Sequence, residues 1–251
     1  FSGGEVALFI LVIFTGSAIT AAANISPEIG RFFDFGEDFD FWDITGSNYA
    51  FDEHHEAEVP AGSNIEIMNR YGTVEVRPSD ADRVVLDVKK SVRAASREEA
   101  GRDALGFTFS IENKGSMFRV VSSKDGGGTA GEAGPGYERQ RFKSNLVVRV
   151  PRRSSVRIEN RDGAVELMFD QAPQEEVSVS GEFADIRLEL PATASFSIDG
   201  RTRFGSVDSE FDELRISGSG REQSISGRVG KSGPAIRVQT RNGTIRLAKR
   251  E

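Results

Sequence analysis

Short runs of alternating apolar and polar residues fill most of the chain beyond residue 55. A period of two places the aliphatic side chains of a β-strand on one face and its polar side chains on the other. The runs come in pairs, and a tight turn separates the two members of each pair. The apolar pairs that precede the turns are Ile65/Ile67, Val156/Ile158, Val177/Val179, Phe196/Ile198, Leu214/Ile216 and Ile236/Val238. The pattern predicts an all-β protein built from strand–turn–strand units.

The turns share a six-residue motif that ends in Val or Ile. Its copies are NRYGTV at 69–74, NRDGAV at 160–165, GEFADI at 181–186, TRFGSV at 202–207, GREQSI at 220–225 and TRNGTI at 240–245. The last five copies begin 21, 21, 18 and 20 residues apart. Repeats of this length are typical of architectures in which successive units stack on one another.

A single strand pair cannot bury its own apolar face. Pairs stacked at about 4.8 Å would line a continuous interior, which predicts a β-solenoid or β-helix-like domain over residues 55–251. A β-sandwich with regular hairpins is the competing architecture, because turns at similar spacing also suit it. The matching position of turn and strands in five consecutive units favours the solenoid.

An insertion over residues 77–149 separates the first unit from the other five. It contains a charged stretch that begins S-R-E-E at Ser96, which predicts a short capped helix over 96–105. Residues 124–141 are predicted to be a glycine-rich loop. Further strands of the insertion are predicted over 84–92, 107–111, 118–122 and 146–150.

The first 24 residues contain 18 consecutive uncharged residues, from Val6 to Ala23. This length predicts one transmembrane α-helix, since about 18 residues of helix are roughly 27 Å long. A signal peptide is the alternative, although its apolar region is usually shorter. Only Arg31 supplies a basic charge between the helix and residue 70. We therefore expect a single-pass membrane protein with its C-terminal domain outside the cytoplasm.

Residues 25–54 are predicted to be a juxtamembrane linker in which aromatic side chains alternate with acids. The aromatic side chains are Phe32, Phe33, Phe35, Phe39, Phe41 and Trp42. Such a strip suits either the headgroup layer of a membrane or a docking site for a neighbouring membrane protein. Membrane lipid and other integral membrane proteins are therefore the predicted partners.

Composition argues against several other functions. A net charge of -7 lacks the basic footprint of a nucleic-acid-binding protein. The chain has no Cys and two His, and His54 and His55 would point to opposite faces of a strand. We expect no catalytic residue, no metal site, no cofactor and no small-molecule substrate, and hence no enzymatic activity.

The second position of the turn motif is mostly basic. It reads Arg161, Glu182, Arg203, Arg221 and Arg241 in the last five units. Stacking would align these residues into a ladder along one edge of the domain. The ladder is either a docking edge for an acidic partner or lipid headgroups, or a row of solvated surface charges that contributes little.

The V-P-A-G-S sequence at 59–63, the N-R-x-G-x-V repeats, the small helical insertion and the upstream apolar segment together resemble an adhesin-like family of bacterial envelope proteins. The resemblance covers about residues 55–251. It implies a β-helix-like fold, no active site and an envelope location, which we expect to be the bacterial inner (cytoplasmic) membrane with the C-terminal domain on the periplasmic side. Ala184 and Gln223 replace the usual turn glycine, so the shape of those two turns is open.

These observations lead to two functional hypotheses. The first is a non-enzymatic, membrane-anchored accessory subunit that contacts partners in a larger integral membrane complex through its helix, aromatic strip and solenoid. The alternative is an adhesin-like or envelope-sensing module that binds a glycan or a protein.

Overall fold

The structure is a computed structural model, and it describes residues 46–124 and 141–250. These residues form seventeen strands and one helix. In chain order the elements are β1 (Ser47–Glu58), β2 (Asn64–Tyr71), β3 (Val74–Ser79), β4 (Arg83–Ala94), α1 (Arg97–Leu105), β5 (Phe107–Lys114), β6 (Met117–Lys124), β7 (Phe142–Pro151), β8 (Ser155–Asp162), β9 (Val165–Met168), β10 (Val177–Phe183), β11 (Ile186–Pro191), β12 (Phe196–Phe204), β13 (Val207–Ser209), β14 (Arg215–Ser219), β15 (Glu222–Val229), β16 (Ala235–Asn242) and β17 (Ile245–Arg250).

The strands make two sheets, so the all-β class is as predicted. The eight-stranded sheet has the order β1-β4-β7-β3-β9-β11-β17-β13, and the nine-stranded sheet has the order β14-β15-β12-β16-β10-β8-β2-β6-β5. Five copies of the turn motif carry the chain from the nine-stranded sheet to the eight-stranded sheet. They join β2 to β3, β8 to β9, β10 to β11, β12 to β13, and β16 to β17.

Aliphatic side chains from both sheets meet in one core. Ile158 and Val179 are paired neighbours in the nine-stranded sheet, and Leu167 and Leu188 are paired neighbours in the eight-stranded sheet. Each is at most 1% exposed, and all belong to a single cluster of buried residues. The period-two alternation therefore identifies the interior faces of these strands correctly.

The predicted solenoid is wrong, because the units do not stack in chain order. The last unit lies between the third and the fourth, since β16 pairs with both β10 and β12 while β17 pairs with both β11 and β13. In a solenoid each unit contacts its neighbours in sequence. Here β12 pairs with β15 along one edge and with β16 along the other, so the unit that follows β12 and β13 in the chain is not stacked next to them as a rung.

The unit at 220–225 is not a strand–turn–strand rung at all. It closes an antiparallel hairpin in which Ser219 pairs with Glu222, leaving a two-residue loop of Gly220 and Arg221. Gly220 has φ +70°, as tight hairpin turns require. Antiparallel pairs also join β1 to β4, β4 to β7, and β5 to β6. These are two mixed sheets, not a continuous winding.

The strands predicted within 77–149 extend both sheets. β6 pairs in parallel with β2, and β7 pairs in parallel with β3. The predicted helix is present as α1, and the Ser96 hydroxyl accepts a hydrogen bond from the Glu99 amide at 3.2 Å. Its buried residues, Ala100 and Ala104, cluster with Phe142.

The predicted transmembrane helix over 6–23 lies outside the described residues. Among the residues that are described, none belongs to a helix with the length and apolar character needed to cross a bilayer.

Adjacent turns are joined through their backbones. The amide of the fourth motif residue donates to the carbonyl of the third residue in the next turn, from Gly72 to Asp162 at 2.8 Å and from Gly163 to Phe183 at 3.0 Å. The turns approach so closely that a Cβ on Gly163 would lie 2.4 Å from the Gly72 carbonyl oxygen. Position 163 therefore needs glycine for two reasons. A side chain would prevent the close approach of the two turns, and the φ of +116° is one that other residues rarely adopt.

Replacing Gly163 by Ala should lower the free energy of unfolding by about 2–4 kcal/mol, because the new methyl group forces two turns apart. The matched control is Gly62→Ala, where φ is also positive (+80°) but nothing lies within 4 Å of the added Cβ. It should cost only about 1–2 kcal/mol, the penalty for the conformation alone. Urea unfolding of both variants measures the difference. Equal losses would contradict the close approach of the turns.

Candidate functional site

The first position of the turn motif holds the turns together from inside. Asn160 donates from Nδ2 to the carbonyl oxygens of Gly72 and Gly163, both at 3.0 Å. Thr240 donates from Oγ1 to the Ala184 carbonyl at 2.9 Å. These side chains are at most 5% exposed, so they satisfy backbone groups that water does not reach.

The turn at 181–186 has no glycine at its fourth position, and a glycine at its first position makes room for the larger residue. Ala184 replaces the usual glycine, and Gly181 replaces the usual Asn or Thr. A Cβ on Gly181 would lie 2.5 Å from the Cβ of Ala184. The methyl group of Ala184 thus fills the space that a first-position side chain would need, and the turn keeps its place in the stack.

The first motif residue is buried, so the second motif position lies on the outer surface of the sheet. Because Asn160 pairs with Gly181, Gly181 with Thr240, and Thr202 with Thr240, the residues that follow them are neighbours across the sheet. The order on the surface is Arg161, Glu182, Arg241, Arg203. Arg221 lies in the β14–β15 hairpin beside them. We call Arg161, Arg241, Arg203 and Arg221 the arginine edge.

The structure therefore brings together all four predicted arginines, but in an order that differs from the chain. Glu182 lies between Arg161 and Arg241 and interacts with both. Its carboxylate is 3.3 Å from Nε of Arg161 and 3.9 Å from Nη1 of Arg241. One carboxylate is thus shared by two guanidinium groups.

The other two arginines of the edge have an aromatic partner instead. The guanidinium carbons of Arg203 and Arg221 lie 5.4 Å and 6.0 Å from the ring centroid of Phe204. Within 46–124 and 141–250, no carboxylate is within ion-pair distance of either one. Cation–π contacts of this kind orient a guanidinium while leaving its N–H groups able to bind an anion.

Other arginines on the same face of the nine-stranded sheet are neutralised. Nη2 of Arg157 is 2.7 Å from Oε1 of Glu159, and Arg237 forms an ion pair with Glu176. Arg157 and Arg237 therefore have acidic partners, whereas Arg203 and the nearby Arg201 have none among the described residues.

Two members of the site were missed by the sequence reasoning. Arg70 holds the second motif position in NRYGTV, and β2 lies beside β8, so Arg70 is placed next to Arg161. The sequence did not reveal that Arg70 and Arg161 are neighbours, because the segment 77–149 separates them along the chain. Phe204 is the third residue of TRFGSV, and it is 38% exposed. An exposed aromatic directly after a motif arginine was the available signal.

The aromatic strip of Phe32, Phe33, Phe35, Phe39, Phe41 and Trp42 lies outside the described residues. The accessory-subunit hypothesis depends on that strip and on the N-terminal segment. It stays a prediction.

The two histidines point to opposite sides of β1, as expected. Nδ1 of His54 is 2.6 Å from Oδ1 of Asp87, and this hydrogen bond raises the pKa of His54 despite partial desolvation. On the other side, burial would raise the pKa of Glu53, but the nearby His55 ring at 3.6 Å and the Lys90 ammonium at 2.5 Å outweigh it and lower the pKa. The described residues contain no group of three or more His, Asp or Glu side chains able to hold a metal ion.

Comparison with known proteins gives limited information. No protein-family model matches the chain. No curated protein matches it either. Three solved structures with provisional names are similar. A cell adhesion protein from Clostridium sporogenes is 12% identical with a TM-score of 0.47, and the match covers 80% of this chain and 100% of that one.

The second structure, an adhesin from Bacteroides fragilis, is 9% identical with a TM-score of 0.22 over 78% of this chain and 97% of its own. The third, a lipid-binding protein from Parabacteroides distasonis, is 12% identical with a TM-score of 0.22 over 79% and 97%. Two of the three names agree with the adhesin-like resemblance of the repeats. The identities and TM-scores are too low to assign a family or a function.

Replacing Thr240 by Val should lower the free energy of unfolding by about 1–3 kcal/mol, because the shape is kept while a buried carbonyl loses its donor. The control is Thr244→Val, since Thr244 is only partly buried and its hydroxyl is hydrogen-bonded to the exposed Ser206 hydroxyl at 3.2 Å. The control should lose less unfolding free energy than Thr240→Val. If chemical denaturation gives equal losses, the first-position side chains do not hold the turns.

His54 should make the β1–β4 pair weakly pH-dependent. Its pKa is raised in the folded state, so its contribution is fully present below about pH 6.5 and is lost as the pH rises through the folded pKa. The side chain is 57% exposed, so the effect should stay below about 1 kcal/mol. The difference in unfolding free energy between the native chain and His54→Gln should be larger at pH 5.5 than at pH 9. A pH-independent difference would contradict the prediction.

Proposed function

We propose that this domain is a non-enzymatic, adhesin-like binding module that holds an anionic partner at the arginine edge. The observation that carries the proposal is the position of Arg203 and Arg221, which contact Phe204 and lack a carboxylate partner among the described residues. In keeping with the adhesin-like resemblance of the repeats, the proposal places the module in the bacterial envelope.

The charge distribution supports an anionic partner. The whole chain has a net charge of -7, yet the arginine edge together with Glu182 combines four positive charges with one negative charge. An exposed Glu222 follows Arg221 and reduces the local excess without forming an ion pair with it. A local basic row on an acidic protein steers and orients an acidic partner.

The aromatic contact favours binding over a purely structural role. A flexible arginine loses conformational freedom when it binds an anion, which weakens the complex. Phe204 restricts Arg203 and Arg221 beforehand, so less freedom remains to be lost.

The chemistry of the edge suits recognition rather than catalysis. Guanidinium groups remain protonated at physiological pH and cannot exchange protons with a substrate. They donate charge-assisted hydrogen bonds to carboxylate, sulfate or phosphate oxygens. The proposal therefore assigns the edge a binding role and no reaction.

The double variant Arg203→Gln/Arg221→Gln should weaken binding of the full chain to a dextran sulfate resin by about tenfold, equivalent to about 1.4 kcal/mol. The matched control is Arg157→Gln/Arg237→Gln, which removes the same charge from two arginines that already have acidic partners. It should change binding much less. Salt elution and direct titration measure both, with unfolding midpoints as a check on folding. Equal effects of the two variants would show that only net charge matters.

A further inference from the structure

The basic side chains of the site lie on a line that crosses the strands. Arg70, Arg161, Arg241 and Arg203 occupy the same register position on β2, β8, β16 and β12. With Glu182 on β10 between them, the line spans four strand steps, or about 19 Å at about 4.8 Å per step. Arg221 extends it at the hairpin.

Glu182 divides this line into two groups. Arg70 and Arg161 lie on one side, and Arg241, Arg203 and Arg221 lie on the other. The Glu182 carboxylate forms an ion pair with the inner arginine of each group, at 3.3 Å from Arg161 and 3.9 Å from Arg241. A ligand that spans both groups must pass over a negative charge at this point.

We infer that the partner is an acidic polysaccharide that lies across the strands and contacts both groups of arginines at once. The inference rests on the proposed function and specifies its ligand class. A single small anion can engage only one group, whereas a chain with repeated charges engages the second group at a high effective concentration.

The spacing of charges favours a polysaccharide over nucleic acid. Duplex nucleic acid carries one negative charge about every 1.7 Å of its axis, and such dense charge would be repelled by the carboxylate of Glu182 in the middle of the row. A sugar chain with an acid on every second ring leaves room for it.

A bilayer surface is less well matched. Phe204 is flanked by two guanidinium groups and does not project as an apolar wedge. Peripheral membrane binding that persists requires buried apolar area in addition to charge. The arginines themselves are therefore the groups presented to the partner.

The test is a length series of hyaluronan oligomers, from the repeating disaccharide (the monomer) to the polymer, titrated into the full chain by calorimetry. Hyaluronan is used because it carries a carboxylate on every second sugar. Affinity should rise by more than about tenfold once the oligomer spans both groups and then level off. Glu182→Gln should tighten polymer binding several-fold while changing monomer binding little. A dextran sulfate series run in parallel distinguishes carboxylate from sulfate as the preferred group.

The outcomes separate this inference from the proposed function. If oligomers of either series bind no better than monomers while Arg203→Gln/Arg221→Gln still weakens binding, the polysaccharide inference is overturned and the anionic site stands. If phosphatidylglycerol vesicles or duplex DNA compete equally with the polymer, the ligand class is wrong. If the double arginine variant binds the polymer as well as the native chain, the proposed function itself fails.

Discussion

The hydrogen bonds and close contacts between adjacent turns are the constraint on which the rest of the structure depends. Each stacked turn except the one at 202–207 donates an amide to the next turn, and a first motif residue that has a side chain, such as Asn160, adds a hydrogen bond to a carbonyl of the preceding turn. This pairing fixes the register of every strand that enters and leaves a turn. Register in turn decides which side chains are buried and which reach the surface.

The arginine edge follows from that register. The first motif residue must point inward to reach the turn carbonyls, so the second must point outward. Repetition of the motif in neighbouring strands then places Arg161, Arg241 and Arg203 on one line without any direct contact among them. The surface that we propose to bind an anionic partner is thus a consequence of how the turns are held.

Much of this could be predicted from the sequence, because alternation and the turn motif are local. The interior positions, the capped helix at Ser96 and the four arginines of the edge all came from such patterns. The order of the units could not be predicted, because the motif at 240–245 is compatible with several neighbours. The tight Gly220 hairpin that sends the chain back along β12 resembles a rung in its letters but pairs antiparallel. The role of Phe204 required the surface neighbourhood, which no local pattern contains.

The order of units can be measured directly, since the chain contains no cysteine that would interfere. Arg203→Cys combined with Arg241→Cys places two cysteines on adjacent strands, with Cα atoms about 4.8 Å apart, which is within the Cα–Cα range of a disulfide. Arg203→Cys combined with Glu182→Cys places the two cysteines two strands apart, with Cα atoms about 9.6 Å apart, which is too far for a disulfide. The account predicts that mild oxidation crosslinks the first pair and not the second. Crosslinking of the second pair in preference to the first would mean that the units stack in chain order and would contradict it.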